Sequence, residues 1–206
     1  MAGNRLDRAA VRVLQHLGRR RWGFPPEIMP ALVEHLGPVK ALRWTLRTSR
    51  RFDRAVSALG PLRTHLACVA ISLLNGCRYC AHGHAYALEL HHLDRNDRLF
   101  PEPADTVAGW AGLPRNEVRS RLRGALMRAE LHVELIWVDR ALDLADGGQP
   151  IDDQEARIAH LVDMLDTLNA VGIAGQPPLD EAHDPLNRDT GLKTRLAELR
   201  AAQSQD

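Results

Sequence analysis

Two Gly-Pro pairs, Gly37-Pro38 and Gly60-Pro61, bracket an unbroken stretch from Val39 to Leu59 with apolar residues at helical spacing. Glycine ends a helix readily, and proline suits the first turn of the next, where no backbone donor is needed. The same grammar runs along the chain. Leu6, Ala9, Ala10, Val13, Leu14 and Leu17 follow the helical period, and Gly18 fits an end. Ile28 to Leu36 reads as a short helix closed by Gly37. Leu62 to Leu74 is an apolar helix with Leu66, Val69, Ala70, Leu73 and Leu74 as its buried stripe, stopped by Asn75-Gly76. Cys77 opens a helix to about Leu93. Residues 94–105 read as a loop, Pro114 to Leu144 as one or two helices, Glu155 to Val171 as a helix capped by Asp152 or Asp153, and Leu192 to Ala202 as a short terminal helix. No β-branched alternation between turn signals appears, so the fold expected is all-α, with no sheet.

The chain has 206 residues, 45% hydrophobic and 26% charged, enough for one domain with a packed core and appendages. No apolar run approaches the roughly 20 residues that span a bilayer. Arg5, Asp7, Arg8 and Arg12 interrupt the N-terminus, so it does not read as a signal peptide, and a cytoplasmic location is expected. Three cysteines are too few, and odd in number, for a disulfide framework. In a compartment where thiols stay reduced, a close cysteine pair points to catalysis or metal.

The net charge of +1 conceals an asymmetry. Residues 1–64 carry 13 Lys+Arg against 4 Asp+Glu, and the remainder carries 14 against 22. Arg43, Arg47, Arg50, Arg51 and Arg54 concentrate on one predicted helix. A basic face of this kind can bind nucleic acid, but no aromatic residues interleave the arginines and no nucleic-acid motif is present. A solvated face, or one that meets the acidic half of a second copy, is the expectation.

The chemistry concentrates between His65 and His84. Cys77 and Cys80 lie three residues apart, so on a helix they share a face and can close a disulfide with modest adjustment. Both fall at a helix N-terminus, which lowers thiol pKa values and favours the nucleophilic thiolate. His84 lies one turn after Cys80 on the same face, placed to take its proton directly or through a water. Zinc held by Cys77, Cys80 and His84, with His82 or His91, is the competing reading. It lacks the second ligand pair that structural zinc usually draws from another segment. Cys68 reads as a small buried hydrophobe. His82 reads as a surface residue, His91-His92 as a helix C-terminal region, and Trp110 and Trp137 as core. His132 and Glu134 are a remote candidate for a relay.

The segment from Leu66 to Leu74 followed by Asn75-Gly76-Cys77-Arg78-Tyr79-Cys80 and His84 resembles the alkylhydroperoxidase D-like members of the carboxymuconolactone decarboxylase superfamily. The resemblance is strong over residues 60–93 and looser over 28–60 and 115–175. Residues 1–25 and 176–206 find no counterpart. It implies a compact all-α bundle over 26–175, preceded by a basic N-terminal helix and linker (1–25) and followed by a C-terminal tail with a short helix (176–206). It further implies homo-oligomers, trimers or larger, and peroxidase or disulfide-reductase activity without metal or cofactor. Cys80 would attack a hydroperoxide and become a sulfenic acid, Cys77 would resolve it to a disulfide, and His84 would accept the proton. A dithiol donor of the lipoyl-protein or thioredoxin type would reduce the pair.

The family places a glutamate twelve residues before the first cysteine to orient and charge the histidine. That position is His65 here, flanked by Arg63, Thr64 and Leu66, so no acid substitutes at that spacing. A second imidazole can accept a hydrogen bond while neutral but cannot stabilise an imidazolium when itself protonated. His65 is therefore counted among the site residues, with weakened peroxidase activity as the expectation. A non-catalytic redox sensor or interaction protein on the same scaffold is the first alternative, and a nucleic-acid binder using the basic face of Arg43, Arg47, Arg50, Arg51 and Arg54 the second.

Overall fold

The computed structural model describes residues 5–203, and all regular structure among them is helical. The elements are α1 (Arg5–Trp22), α2 (Met29–Leu36), α3 (Pro38–Leu59), α4 (Pro61–Leu74), α5 (Arg78–Asn96), α6 (Ala104–Ala108), α7 (Arg115–Arg128), α8 (Glu134–Ala145), α9 (Asp153–Gly175) and α10 (Thr190–Gln203). A 3₁₀ turn, Pro185–Arg188, precedes α10. Gly37 and Gly60 occupy positive φ (77° and 83°), and Pro38 and Pro61 open the helices that follow. The region read as one or two helices is two, divided at Ala129–Val133, and the predicted loop 94–105 holds the end of α5 and the start of α6.

Helix α4 is the axis of the bundle. It is buried on every side, from Leu62 through Leu73, rather than along one stripe. A helix apolar all round has to be enclosed by others, and α3, α5, α7, α8 and α9 pack against it. The polar residues it carries inward, Thr64, His65 and Ser72, therefore need internal partners. Thr64 Oγ1 donates to the Gly60 carbonyl at 2.8 Å, and Ser72 Oγ donates to Asn169 Oδ1 at 3.3 Å. His65 finds its partners in the site described below.

Helix α1 turns Ala10, Leu14 and Gly18 inward and leaves Leu6, Val13 and Leu17 exposed, so only part of its apolar pattern is used within the chain. On α3, Arg43, Arg47, Arg50 and Arg54 are exposed, and Arg51 is half-buried. Arg63 makes a bidentate ion pair with Glu134 (both contacts 2.9 Å) and covers the Trp137 ring at 4.4 Å, which ties α4 to α8. Glu134 is thereby committed to structure, away from His65. Trp110 is buried as expected, and Trp137 only half-buried beneath Arg63. No helix among the described residues is long and apolar enough to cross a membrane.

Helix α9 closes the bundle over α2–α5 and carries the glycine against which the cysteines pack. Asp152 caps it by accepting the Glu155 N–H at 2.8 Å. Replacing Asp152 with alanine removes that acceptor, so Asp152→Ala should lower stability by about 1 kcal/mol. Urea denaturation should show a lower midpoint at unchanged slope.

Candidate functional site

Helix α4 ends at Asn75, Gly76 turns the chain at φ +78°, and Cys77 becomes the N-cap of α5. Cys77 is extended (φ −89°, ψ 97°), and its Sγ accepts the Cys80 N–H at 3.4 Å. All three cysteines are free and buried. The thiol hydrogen bond from Cys80, with the backbone donors of Cys80 and Tyr79, holds the Cys77 pKa below the ordinary thiol value. The same pairing with Cys77, together with burial, pushes Cys80 well above it. Of the two thiols, Cys77 is therefore the one that ionises first. Cys68 is fully buried with its thiol pushed up by desolvation, which suits a packing residue rather than a nucleophile. Gly172 of α9 backs the pair: a Cβ there would lie 2.7 Å from Cys77 Sγ and 3.8 Å from Cys80 Sγ.

The expected direct contact between His84 and Cys80 is not among the hydrogen bonds of the described residues. His84 instead bonds His65, Nδ1 to Nδ1, at 3.0 Å. His65 Nε2 lies 3.0 Å from Asp184 Oδ2. The chain of three fixes its own tautomers. An ionised carboxylate only accepts, so His65 Nε2 carries the proton and donates it to Asp184. His65 Nδ1 is then a lone pair and accepts the N–H of His84 Nδ1. The free lone pair of His84 falls on Nε2.

Burial drives this arrangement. Desolvation lowers the His65 pKa, with Asp184 opposing, and lowers the His84 pKa well below its ordinary value, with His65 and His183 adding to the effect. Both imidazoles are therefore neutral at rest, and His84 is available as an acceptor. Burial alone would raise Asp184, but the hydrogen bond from His65 and the neighbouring His91 hold it far below the usual carboxylate range. Phe52 stacks on His84 (6.1 Å between centroids) and meets His65 edge-on, which fixes both rings.

Asp184 belongs to residues 176–189, the segment that found no family counterpart. This strap is tied down along its length. Asp180 accepts the Tyr79 hydroxyl and the Glu27 N–H, the latter at 3.0 Å. The His183 N–H donates to the Gly83 carbonyl at 3.1 Å, and Asn187 Nδ2 donates to the Trp22 carbonyl at 2.8 Å. The His183 ring lies on Gly83, where a Cβ would come within 2.4 Å of it, and stacks on Trp22 at 5.3 Å. Glycine at position 83 is what lets the strap lie this close.

The structure thus brings together Cys77, Cys80, His84 and His65, and adds Asp184, His91 and His183. His91 belongs not to a helix C-terminus but to a helix that continues to Asn96, with Nε2 3.2 Å from Asp184 Oδ1. His82 is half-buried near Asp105, outside this group. The one sequence sign of Asp184 was a polar cluster, Asp180-Glu-Ala-His-Asp184, inside an irregular Pro-rich stretch.

Two openings reach the site. A cavity of about 90 Å³ is lined mostly by apolar groups, among them Met29, Leu32, Trp44, Phe52 and Met164, and includes His84 and His183. Three of its lining residues carry buried polar atoms without partners: Trp22 Nε1, Thr45 Oγ1 and His183 Nε2. Neither sulfur lines it. A wider cleft of about 440 Å³ on the other side is formed by Gly76, Arg78, Tyr79, Gly172 and residues 176–179, next to Cys77. Comparisons with protein-family models, curated proteins and solved structures find no match to this chain.

Gly83→Ala should push His183 off its seat and carry Asp184 with it. Trp22 fluorescence should then change, because the His183 ring that stacks on the indole is displaced, and the urea midpoint should fall. An unchanged spectrum with full stability would show that the strap tolerates the added methyl.

Proposed function

We propose that this chain is a thiol-dependent peroxidase or disulfide oxidoreductase that cycles Cys77 and Cys80 between dithiol and disulfide. The observation that carries the reading is the buried chain His84–His65–Asp184, which ends in a free imidazole nitrogen one helical turn beyond the dithiol. An enzyme needs a proton acceptor whose charge, once gained, is stabilised by a fixed partner. Asp184 supplies through His65 the carboxylate that the family places directly on the histidine.

The steps balance as follows. Cys80, the higher-pKa thiol, first gives its proton to His84; it then attacks the terminal oxygen of a hydroperoxide, the O–O bond breaks, and the alkoxide leaves with that proton as the alcohol. Cys80 becomes a sulfenic acid, and His84 relays the thiol proton. Cys77, already the lower-pKa partner, attacks the sulfenic sulfur as thiolate. The S–O bond breaks, hydroxide leaves and takes up from solvent the proton that Cys77 released on ionising, and the disulfide forms. An external dithiol of the lipoyl-protein or thioredoxin type then reduces it. The apolar cavity with its three unpartnered polar atoms suits an organic hydroperoxide: a hydrocarbon body against Met29, Leu32 and Trp44, with oxygen atoms near His84. The cleft beside Cys77 suits the reductant. Exposed Leu6, Val13 and Leu17 on α1 offer an apolar face for the homo-oligomer.

Burial of both thiols favours a second reading, a non-catalytic redox sensor on the same scaffold. Sustained turnover with a hydroperoxide and a dithiol reductant would exclude it.

Reduced protein should form one Cys77–Cys80 disulfide within seconds of a stoichiometric organic hydroperoxide pulse, as read by thiol mass spectrometry. Cys80→Ser should abolish peroxide consumption, whereas Cys77→Ser should leave a persistent sulfenic acid trappable by a dimedone-type reagent. A trapped sulfenic acid on Cys77 in the Cys80→Ser protein would reverse the two roles.

Asp184→Asn keeps the shape but changes what His65 can donate to, and should slow disulfide formation by about 100-fold. Its pH profile should shift as well, which a purely structural strap residue would not do. An unchanged rate would remove Asp184 from the relay.

A further inference from the structure

The relay leaves one member of the cluster unexplained. His91 reaches Asp184 from α5, one ring away from His65, and the His65 and His91 rings stack at 5.7 Å. His91 Nε2 is buried and lies 3.2 Å from Asp184 Oδ1 without meeting the geometry of a hydrogen bond. Two imidazole nitrogens and a carboxylate therefore cluster, with one atom of each lying within 4.8 Å of the others. Ligand atoms around a tetrahedral zinc ion at about 2.0–2.1 Å are about 3.3 Å apart. His65 Nε2 lies 3.0 Å from Asp184 Oδ2 and His91 Nε2 3.2 Å from Asp184 Oδ1, so each nitrogen is close to that spacing from one of the two carboxylate oxygens.

The surroundings suit an ion. His65 Nδ1 lies 3.0 Å from His84 Nδ1, so with a metal on Nε2 it could donate its second N–H there, the outer support that metal-bound histidines usually have. Asp184 is ionised and held by the Leu186 N–H at 2.8 Å. His91 borders a surface cleft formed by Leu59, Gly60, Pro61, Asp94 and Arg95, which gives an ion a way in and leaves room for a water as fourth ligand. Two nitrogens and one carboxylate with an open position are the donor set of zinc-class ions.

We propose that His65, His91 and Asp184 bind a divalent cation of the zinc class, and that binding converts His84 from a proton acceptor into a proton donor. The second half rests on the dithiol reading above; the first does not. Without metal, His65 carries its proton on Nε2 and His84 on Nδ1. A metal on His65 Nε2 requires that lone pair, so the His65 proton moves to Nδ1. That N–H now donates to His84 Nδ1, and the proton of His84 moves to Nε2. No proton enters or leaves the pair, but the base of the relay is blocked. The metal site and the active relay are alternative uses of the same imidazole.

Cobalt(II) is the probe, added to the full chain carrying Cys77→Ser and Cys80→Ser so that the dithiol does not compete. The expected result is a visible d–d spectrum without a thiolate charge-transfer band. Affinity should fall at least about 100-fold in the His91→Ala background, and Asp105→Asn, at the remote His82 pair, should retain binding. Helical circular dichroism of His91→Ala separates ligand loss from unfolding, and His91→Gln serves if alanine does not fold. Absence of binding, or binding indifferent to His91, overturns the site. In the chain with both cysteines intact, zinc should then slow hydroperoxide-driven disulfide formation at least tenfold, and the same zinc should leave the rate of His91→Ala unchanged; slowing that persists in His91→Ala would place the metal on the dithiol and overturn the conversion. Cobalt binding through His91 with no slowing overturns the conversion of His84. If the thiols fail to oxidise even without metal, it is the peroxidase reading that fails, and the cobalt spectrum still judges the site.

Discussion

The hydrogen bond between His65 and Asp184 joins residues 119 positions apart in the chain, and much of the molecule follows from it. A histidine on the fully enclosed helix α4 would otherwise be a buried, unsatisfied polar group costing a few kcal/mol. A carboxylate on a loop would otherwise belong in water. Each is tolerable only because of the other. The strap that brings Asp184 inward must be pinned by Asp180, His183 and Asn187, and Gly83 must stay small. Phe52 must fill the space beside both rings.

This pairing also shows how one departure from a motif can be absorbed by the rest of a fold. On the proposed reading, with an imidazole at position 65 the charge for a relay comes from one residue further out, on a different segment, and the proposed relay is longer by one ring and depends on the terminal quarter of the chain. Its electrostatics are those of a histidine held by a buried acid, a recurrent device for keeping a tautomer fixed.

The helical grammar was legible because glycine, proline and apolar spacing are local signals. Gly37-Pro38, Gly60-Pro61 and Asn75-Gly76 mark helix ends that the structure reproduces to within a residue or two. Cys77, Cys80 and His84 were legible as a group because they are neighbours on one helix. His65 was singled out by its position, but its partner was not, since nothing between Gly172 and Pro185 repeats or alternates. His91 was misread because the end of α5 was placed near Leu93, and the three further residues to Asn96 turn a terminal histidine into an interior one. Long-range pairing of polar side chains leaves no periodic trace, and every piece of the site that was missed is of that kind.

Cys77 as the cap of α5 couples the helix to the oxidation state of the pair. The Sγ that accepts the Cys80 N–H does so best as a thiolate, where it also faces the positive end of the helix. Oxidation removes that charge and redirects the sulfur toward Cys80. Whatever the cap contributes to stability is thus held by the reduced form alone, and it appears as redox potential. At about 30 mV for each 1.4 kcal/mol, a cap of about 1 kcal/mol raises the potential of the pair by about 20 mV. In the proposed cycle, the first turn of one helix would thereby make the disulfide a slightly stronger oxidant toward an external dithiol.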